Sequence, residues 1–256
     1  MSPPRRAADI GGEAALIAGG ARAILLQLAN PAIGHSVAVH SDFAAQPIRR
    51  LVNTLSYAYA LIYGSPAQIA TVQAMVNRAH QPVKSAAGET PAYDARDPAL
   101  QLWVAATLYD TAVLMHQRVV GRLSAADLDQ IYADYAVIGT ALQMPAGFWP
   151  VDRAAFAQYW DRALTQLRVD DTVRGVERQL LHPRTGPLWL RAGMPLARLI
   201  TAGLLTDDLR AAYRMPWNPH RERRFDLALR MLSALNRVLP RGLRELPKRR
   251  LLRSLR

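Results

Sequence analysis

The chain has 256 residues, half of them apolar and 20% charged, which is enough for one large domain with a full core and unlike the composition of a disordered segment. Cysteine is absent, which excludes disulfides, thiolate metal sites and a cysteine nucleophile and leaves histidine, carboxylate and hydroxyl groups for any chemistry. The formal net charge is +12, but from Arg237 onward there are eight bases and a single acid, Glu245, so the body is only mildly basic and a nucleic-acid surface over the whole chain is disfavoured.

The first nine residues carry charge without an apolar stretch behind them, so no signal peptide is expected and a cytoplasmic location follows. The apolar runs Ala14 to Ile33 and Leu100 to Met115 are interrupted by Arg22, Asn30, Pro31 and Asp110, and neither offers the ~20 clean residues of a membrane span. Pro47 suits a first helical turn ahead of the apolar stripe Leu51, Leu55, Tyr59 and Ile62. Ser65-Pro66-Ala67-Gln68 reads as an N-cap, a proline at N1 and a capping-box partner. The helix it opens carries Ile69, Val72, Val76, Ala79, His80 and Val83. A break falls at Ser85 to Pro91, and Asp97-Pro98 opens a helix expected to reach Val120, with Gly121 as its stop. Further helices are expected from Ser124 to Met144, from Asp152 to Arg168, from Asp171 to Leu181, from Leu188 to Leu205, from Asp207 to Tyr213, and from Pro219 to Leu239 behind an Asn218 cap.

No stretch alternates with period two. About ten helices with short loops and unequal lengths predict an all-α, single compact multi-helical domain rather than a simple four-helix bundle. We read residues 1–239 as that domain and 240–256 as a basic C-terminal tail. The tail interleaves leucines with bases, and Pro240 and Pro247 interrupt any helix. It is read either as a solvated, partly disordered end or as a peripheral contact with anionic lipid.

His80 follows Val76 and Val72 at one-turn spacing and therefore continues a buried stripe. It is read either as a core histidine bonded to a backbone carbonyl or as a neutral imidazole ligating a metal. Arg50 and Thr54, four residues apart, share a helical face with Tyr57 and Leu61. Facing inward, Arg50 would need an anion; facing outward, it would be an ordinary surface base. His35 and His40 are five apart and do not form a zinc pair, and His116, His182 and His220 are read as structural or solvent-facing. There is no phosphate loop, no Gly-x-Ser-x-Gly elbow and no His-Glu-x-x-His pair, which disfavours hydrolases and nucleotide enzymes.

Several segments, taken in order, resemble the MpaB and rubber-oxygenase family. They are Gln27-Leu-Ala-Asn-Pro31, His40-Ser-Asp-Phe43, Arg50-Leu-Val-Asn-Thr54, Val76-Asn-Arg-Ala-His80, and Tyr93-Asp-Ala-Arg-Asp97-Pro98 leading into Leu102-Trp103-Val104. Thr201-Ala-Gly-Leu-Leu205 and Met215-Pro216-Trp217 continue the pattern, so the similarity spans residues 13 to 235 or so. The resemblance implies a helical fold around haem b (iron) held by one histidine, in proteins that use dioxygen on lipophilic substrates. It assigns His80 as the iron and cofactor ligand and places Arg50 and Thr54 beside the haem as cofactor-binding and catalytic residues.

Two departures accompany it: Trp103-Val104 is followed by Ala105 where the family has histidine, and Asn30 stands in the Leu-Ala-His-Pro motif. The glutamate that acts as base in rubber oxygenases has no counterpart, since Asp42 is the one acid between Glu13 and Glu89. The function expected is a haem b-dependent oxygenase acting on a lipophilic, isoprenoid-like or unsaturated small molecule. The alternative is a non-catalytic haem or hydrophobic-ligand binding protein of the same fold.

Overall fold

The computed structural model describes residues 3–40, 47–184 and 186–255. Fourteen α-helices occur among them in chain order. The first seven are α1 (Ala7–Ile10), α2 (Gly20–Leu28), α3 (Pro31–His40), α4 (Pro47–Tyr63), α5 (Pro66–His80), α6 (Pro98–Met115) and α7 (Ala125–Thr140). They are followed by α8 (Arg153–Thr165), α9 (Asp171–Leu181), α10 (Leu188–Leu204), α11 (Asp207–Ala212), α12 (Pro219–Val238), α13 (Arg241–Arg244) and α14 (Leu246–Arg253). Among the described residues the extended backbone amounts to one antiparallel bridge, between Lys84 and Asp94. The protein is an all-α single domain.

Side-chain caps set most of the helix starts. Ser65 and Gln68 bond each other's backbone N–H in a reciprocal capping box, with Pro66 in the first turn, and Ser124 and Asp127 do the same ahead of α7. The carboxylates of Asp97, Asp152 and Asp170 cap α6, α8 and α9, and Asn218 caps α12. Each cap satisfies one of the N–H groups a helix start leaves without a partner.

α6 organises the interior. Its run from Gln101 to Met115 is apolar on all sides, and it is buried on all sides, as a helix without a polar face must be. One side joins Leu102, Ala106 and Tyr109 to α4, α5 and α7, where Tyr109, Tyr132, Trp149 and Phe156 pack edge-on and stacked at 5.1–6.3 Å between centroids. Trp103 turns to a second cluster formed with α2, α3, α9 and α10, and it donates its indole N–H to Leu26 O at 3.0 Å. Met115 ends in a third, with α10 and α12.

Three features depart from expectation. α6 does not run as an α-helix to Val120 but changes at His116 into a π-helical turn, His116–Val120, closed by Gly121 N–H on His116 O at 3.0 Å. The wider turn keeps both His116 and Val119 buried against α12. The apolar stretch near the N-terminus is two elements meeting at 106°, because Asn30 Oδ1 accepts the N–H groups of Ala32 and Ile33 and starts a new helix at Pro31. Among the described residues no single helix is long and apolar enough to cross a membrane.

The third departure is the C-terminal segment, which is helical and packed. Pro247 occupies the first turn of α14, where proline opens a helix instead of breaking it. α14 lies along α4, with Leu252 and Leu255 against the first core cluster. The buried Glu245 carboxylate pairs with Arg241 at 2.6 Å, Lys248 at 3.0 Å and Arg249 at 3.4 Å, while Arg244 reaches back to Glu13 at 2.9 Å.

Candidate functional site

α3, α4 and α5 stand away from α6 and α7 and leave between them a cavity of about 510 Å³, within the roughly 300–1,000 Å³ usual for cofactor and small-molecule sites. Its inner wall is made by Leu100, Gln101, Val104, Ala105 and Leu108 of α6 with Ile138 and Gly139 of α7 and Leu142 just beyond it. Gly139 lets this wall pack closely: a Cβ on it would meet Met144 Cε at 2.3 Å and Ala105 Cβ at 3.3 Å.

His80 is the last residue of α5 and lines this cavity. The stripe that leads to it runs from the core outward: Val72 is fully buried, Val76 is partly buried in the cavity wall, and His80 follows one turn later. Its Nδ1 is buried and has no hydrogen-bond partner. A core histidine would be bonded to a backbone carbonyl, and at this nitrogen there is none. Burial, reinforced by the positive charge of Arg50 and opposed by Asp94, lowers the His80 pKa below the ordinary histidine value, so the ring is held neutral.

Arg50 and Thr54 line the same cavity from one face of α4, together with Tyr57, whose hydroxyl donates to Ile138 O at 2.9 Å. Leu61 lies further along the face, in the core. Arg50 thus turns to the interior, where burial lowers its pKa.

Arg50 and Thr54 also border a second, narrower space of about 110 Å³ between α2, α4 and α6, which shares Gln27, Leu108 and Ile138 with the first. Leu51 and Leu55 belong to this side chamber, not to the wall facing His80.

Sequence reasoning missed several neighbours. His40, set aside as half of an improbable zinc pair, lines the cavity with its Nε2 3.1 Å from the Tyr93 hydroxyl. His35 faces elsewhere, 2.7 Å from Asp170 Oδ2. Gln101 exchanges hydrogen bonds with Gln143, whose amide continues to Asn77 at 2.6 Å. These contacts join residues 42 to 135 positions apart, and no local spacing announces them. His116 is buried and His182 and His220 are exposed, and none of the three lines either space. Residues 41–43 of the His40-Ser-Asp-Phe43 segment, Asp42 included, lie outside the described residues.

The fit to haem rests on the chain's own groups. Among the described residues no three histidine, aspartate or glutamate side chains gather to hold an ion by themselves; two imidazoles line this cavity, His80 and His40, and His40 is engaged by the Tyr93 hydroxyl. A cavity of this size with apolar walls beside a few polar groups, a neutral histidine with an unpartnered ring nitrogen, and an inward arginine suit a flat, dianionic iron porphyrin.

The family described as "ER-bound oxygenase mpaB/B'/Rubber oxygenase, catalytic domain" matches residues 8–234. Two mycobacterial relatives, the uncharacterized proteins Mb2261 of Mycobacterium bovis and Rv2237 of Mycobacterium tuberculosis, are each 35% identical over 222 residues, covering 85% of this chain and 87% of the relative. Among solved structures, latex clearing protein in its closed state superposes with a TM-score of 0.59 at 17% identity, over 98% of this chain and 72% of that one. At that identity it speaks for the fold alone. With nearly the whole helical body inside the family match, the chain belongs to the mpaB and rubber-oxygenase catalytic-domain family.

Proposed function

We propose that this protein is a haem b-dependent oxygenase of a lipophilic, isoprenoid-like or unsaturated small molecule, with His80 as the iron ligand. The observation that carries the reading is the buried, unpartnered Nδ1 of a neutral His80 in the wall of a cavity of about 510 Å³. When bound, haem would supply the iron that activates dioxygen. The binding is non-covalent, because the chain has no cysteine to attach a vinyl group.

The protein's own groups do the rest. His80 keeps a lone pair available because its surroundings oppose protonation. Arg50 offsets the charge of a propionate or the negative charge that develops during oxygen transfer. Thr54, one turn on, donates or relays a hydrogen bond to the same region. Ile33, Val37, Val76, Val104, Leu108 and Leu142 exclude water, and they favour an unsaturated hydrocarbon over a charged substrate, whose unpaired charge would cost several (~3 or more) kcal/mol to bury there.

Protein expressed with ample iron should show a Soret band, and His80→Ala should lose most of it while far-ultraviolet circular dichroism stays helical. Equal Soret absorbance in variant and parent removes His80 as ligand. In oxygen uptake by the ferrous protein with isoprenoid and polyunsaturated candidates, Arg50→Ala should lower turnover by roughly tenfold or more at near-parental haem content, since its role is in the transition state. Thr54→Val should do the same more mildly.

One observation favours a second reading. Among the described residues lining the two spaces there is no carboxylate, and position 105 is an alanine. A non-catalytic haem or hydrophobic-ligand binding protein needs neither a base nor a second histidine. Haem-loaded protein that consumes no oxygen with any lipophilic candidate decides for this alternative.

A further inference from the structure

The charge of the molecule is concentrated at one end of the chain. Residues 219–256 contain twelve lysines and arginines against three acids, which makes this segment +9 of the net +12. Exposed apolar side chains gather in the same region. Of thirteen large hydrophobic residues that stand exposed among the described residues, eight belong to α10, α12 and α13.

α12 shows how the two are arranged. Phe225 and Leu229 face the core. On the opposite side Leu227, Met231, Leu235 and Val238 are half to three-quarters exposed, and their spacing of four, four and three puts them in one continuous stripe. Arg223, Arg230 and Arg237, at intervals of seven, form a row beside that stripe about 21 Å long. The acids of the helix, Glu222 and Asp226, lie away from the apolar stripe, Asp226 beside the arginine row on its other flank. α10 packs against the inner side of α12 through Leu199, Ile200 and Leu204, which leaves the outer stripe uncovered.

The leucines at the last helical turn do not contribute to this surface. Leu252 and Leu255 are turned against the core, and Glu245 holds three of the nearby bases. An apolar stripe of this extent beside a cationic row marks an interaction face. Two such faces of the same sign repel each other, so a second copy of the chain is a poor occupant. A surface that offers hydrocarbon beneath a layer of negative charge answers both features.

We propose that the outer face of α12 docks the protein on an anionic lipid bilayer. The assignment is independent of the haem reading, since α12 contributes no residue to either internal space.

The test is co-sedimentation of the full-length protein with phosphatidylcholine vesicles, with and without phosphatidylglycerol, at low and high salt. The parent should pellet with the phosphatidylglycerol vesicles and be released by salt. Met231→Glu combined with Leu235→Glu should reduce partitioning roughly tenfold or more. Arg223→Gln, Arg230→Gln and Arg237→Gln should each cost roughly fivefold. All these side chains are exposed, and unchanged circular dichroism confirms that the variants fold. Absence of pelleting overturns the proposal, as does binding indifferent to phosphatidylglycerol or to the Met231/Leu235 change. Light scattering that finds a dimer in the parent and a monomer in Met231→Glu/Leu235→Glu also overturns it, and makes the face a self-interface.

Discussion

His80 and Arg50 illustrate how much a single position reveals. One-turn spacing behind Val72 and Val76 was enough to aim His80 inward, and the four-residue interval was enough to put Thr54 on the face of Arg50. Neither spacing says whether a buried nitrogen finds a carbonyl, and that distinction separates a structural histidine from a ligand. Glu177 on α9 poses the same question for a carboxyl group. It is buried, and burial raises its pKa from 4.5 to about 7, against the opposing pull of Arg178 and Arg198. The folded state therefore holds a proton that the unfolded state releases, so stability should fall as pH rises from about 4.5 through 7. Glu177→Gln removes that penalty. Thermal melts should show the variant more stable than the parent at pH 8, by about 2 kcal/mol, and little different at pH 5.

At the scale of elements, caps and prolines were the dependable signals. Ser65, Asp97, Ser124, Asp152 and Asn218 were all read from their neighbours, because a cap is settled within four residues. The π turn at His116–Val120 was not legible, since it answers to the packing of α12 more than a hundred residues later. Close approaches between helices escape the sequence in the same way. Gly34 on α3 is an example: a Cβ there would lie 2.4 Å from Leu28 O and 2.7 Å from Val173 Cγ2 of α9. The backbone carbonyl cannot swing aside, so Gly34→Ala should separate α3 from α2 and α9. Chemical denaturation should register a loss of about 1–3 kcal/mol with an unchanged m-value. An alanine tolerated without loss would mean that the helices slide apart freely.

Over the whole molecule, the ion-pair cluster at Glu13, Arg244 and Glu245 joins the two ends of the chain. Burial works against ionisation of Glu245, but hydrogen bonds from Arg241 and Lys248 outweigh it and bring the pKa from 4.5 down to about 2. Stability from this group is thus fully present above about pH 4.5 and is lost as pH falls toward 2. Glu245→Gln should lower the melting temperature at pH 7 by an amount worth about 1–2 kcal/mol, after discounting for the exposed Arg241. The difference between variant and parent should shrink in melts at pH 3. A gap of the same size at both pH values would show that the carboxylate charge is not what secures α13 and α14.

The sequence by itself determined the all-α class, most helix starts, the family, and the three side chains from which the proposed chemistry begins. All of these depend on local spacing or on ordered motifs, which survive without coordinates. Tertiary structure alone decided that α3 to α7 leave a cavity between them, that His80 lines it with a buried, unpartnered Nδ1, and that His40, bonded to Tyr93, lines it too. It also decided the fate of the basic C-terminus. Pro240 and Pro247 read locally as interruptions, and eight bases read as a solvated end. Yet Glu245, the one acid among those bases, is buried against them, and the leucines between them find a hydrophobic groove on α4 that no short window of sequence contains.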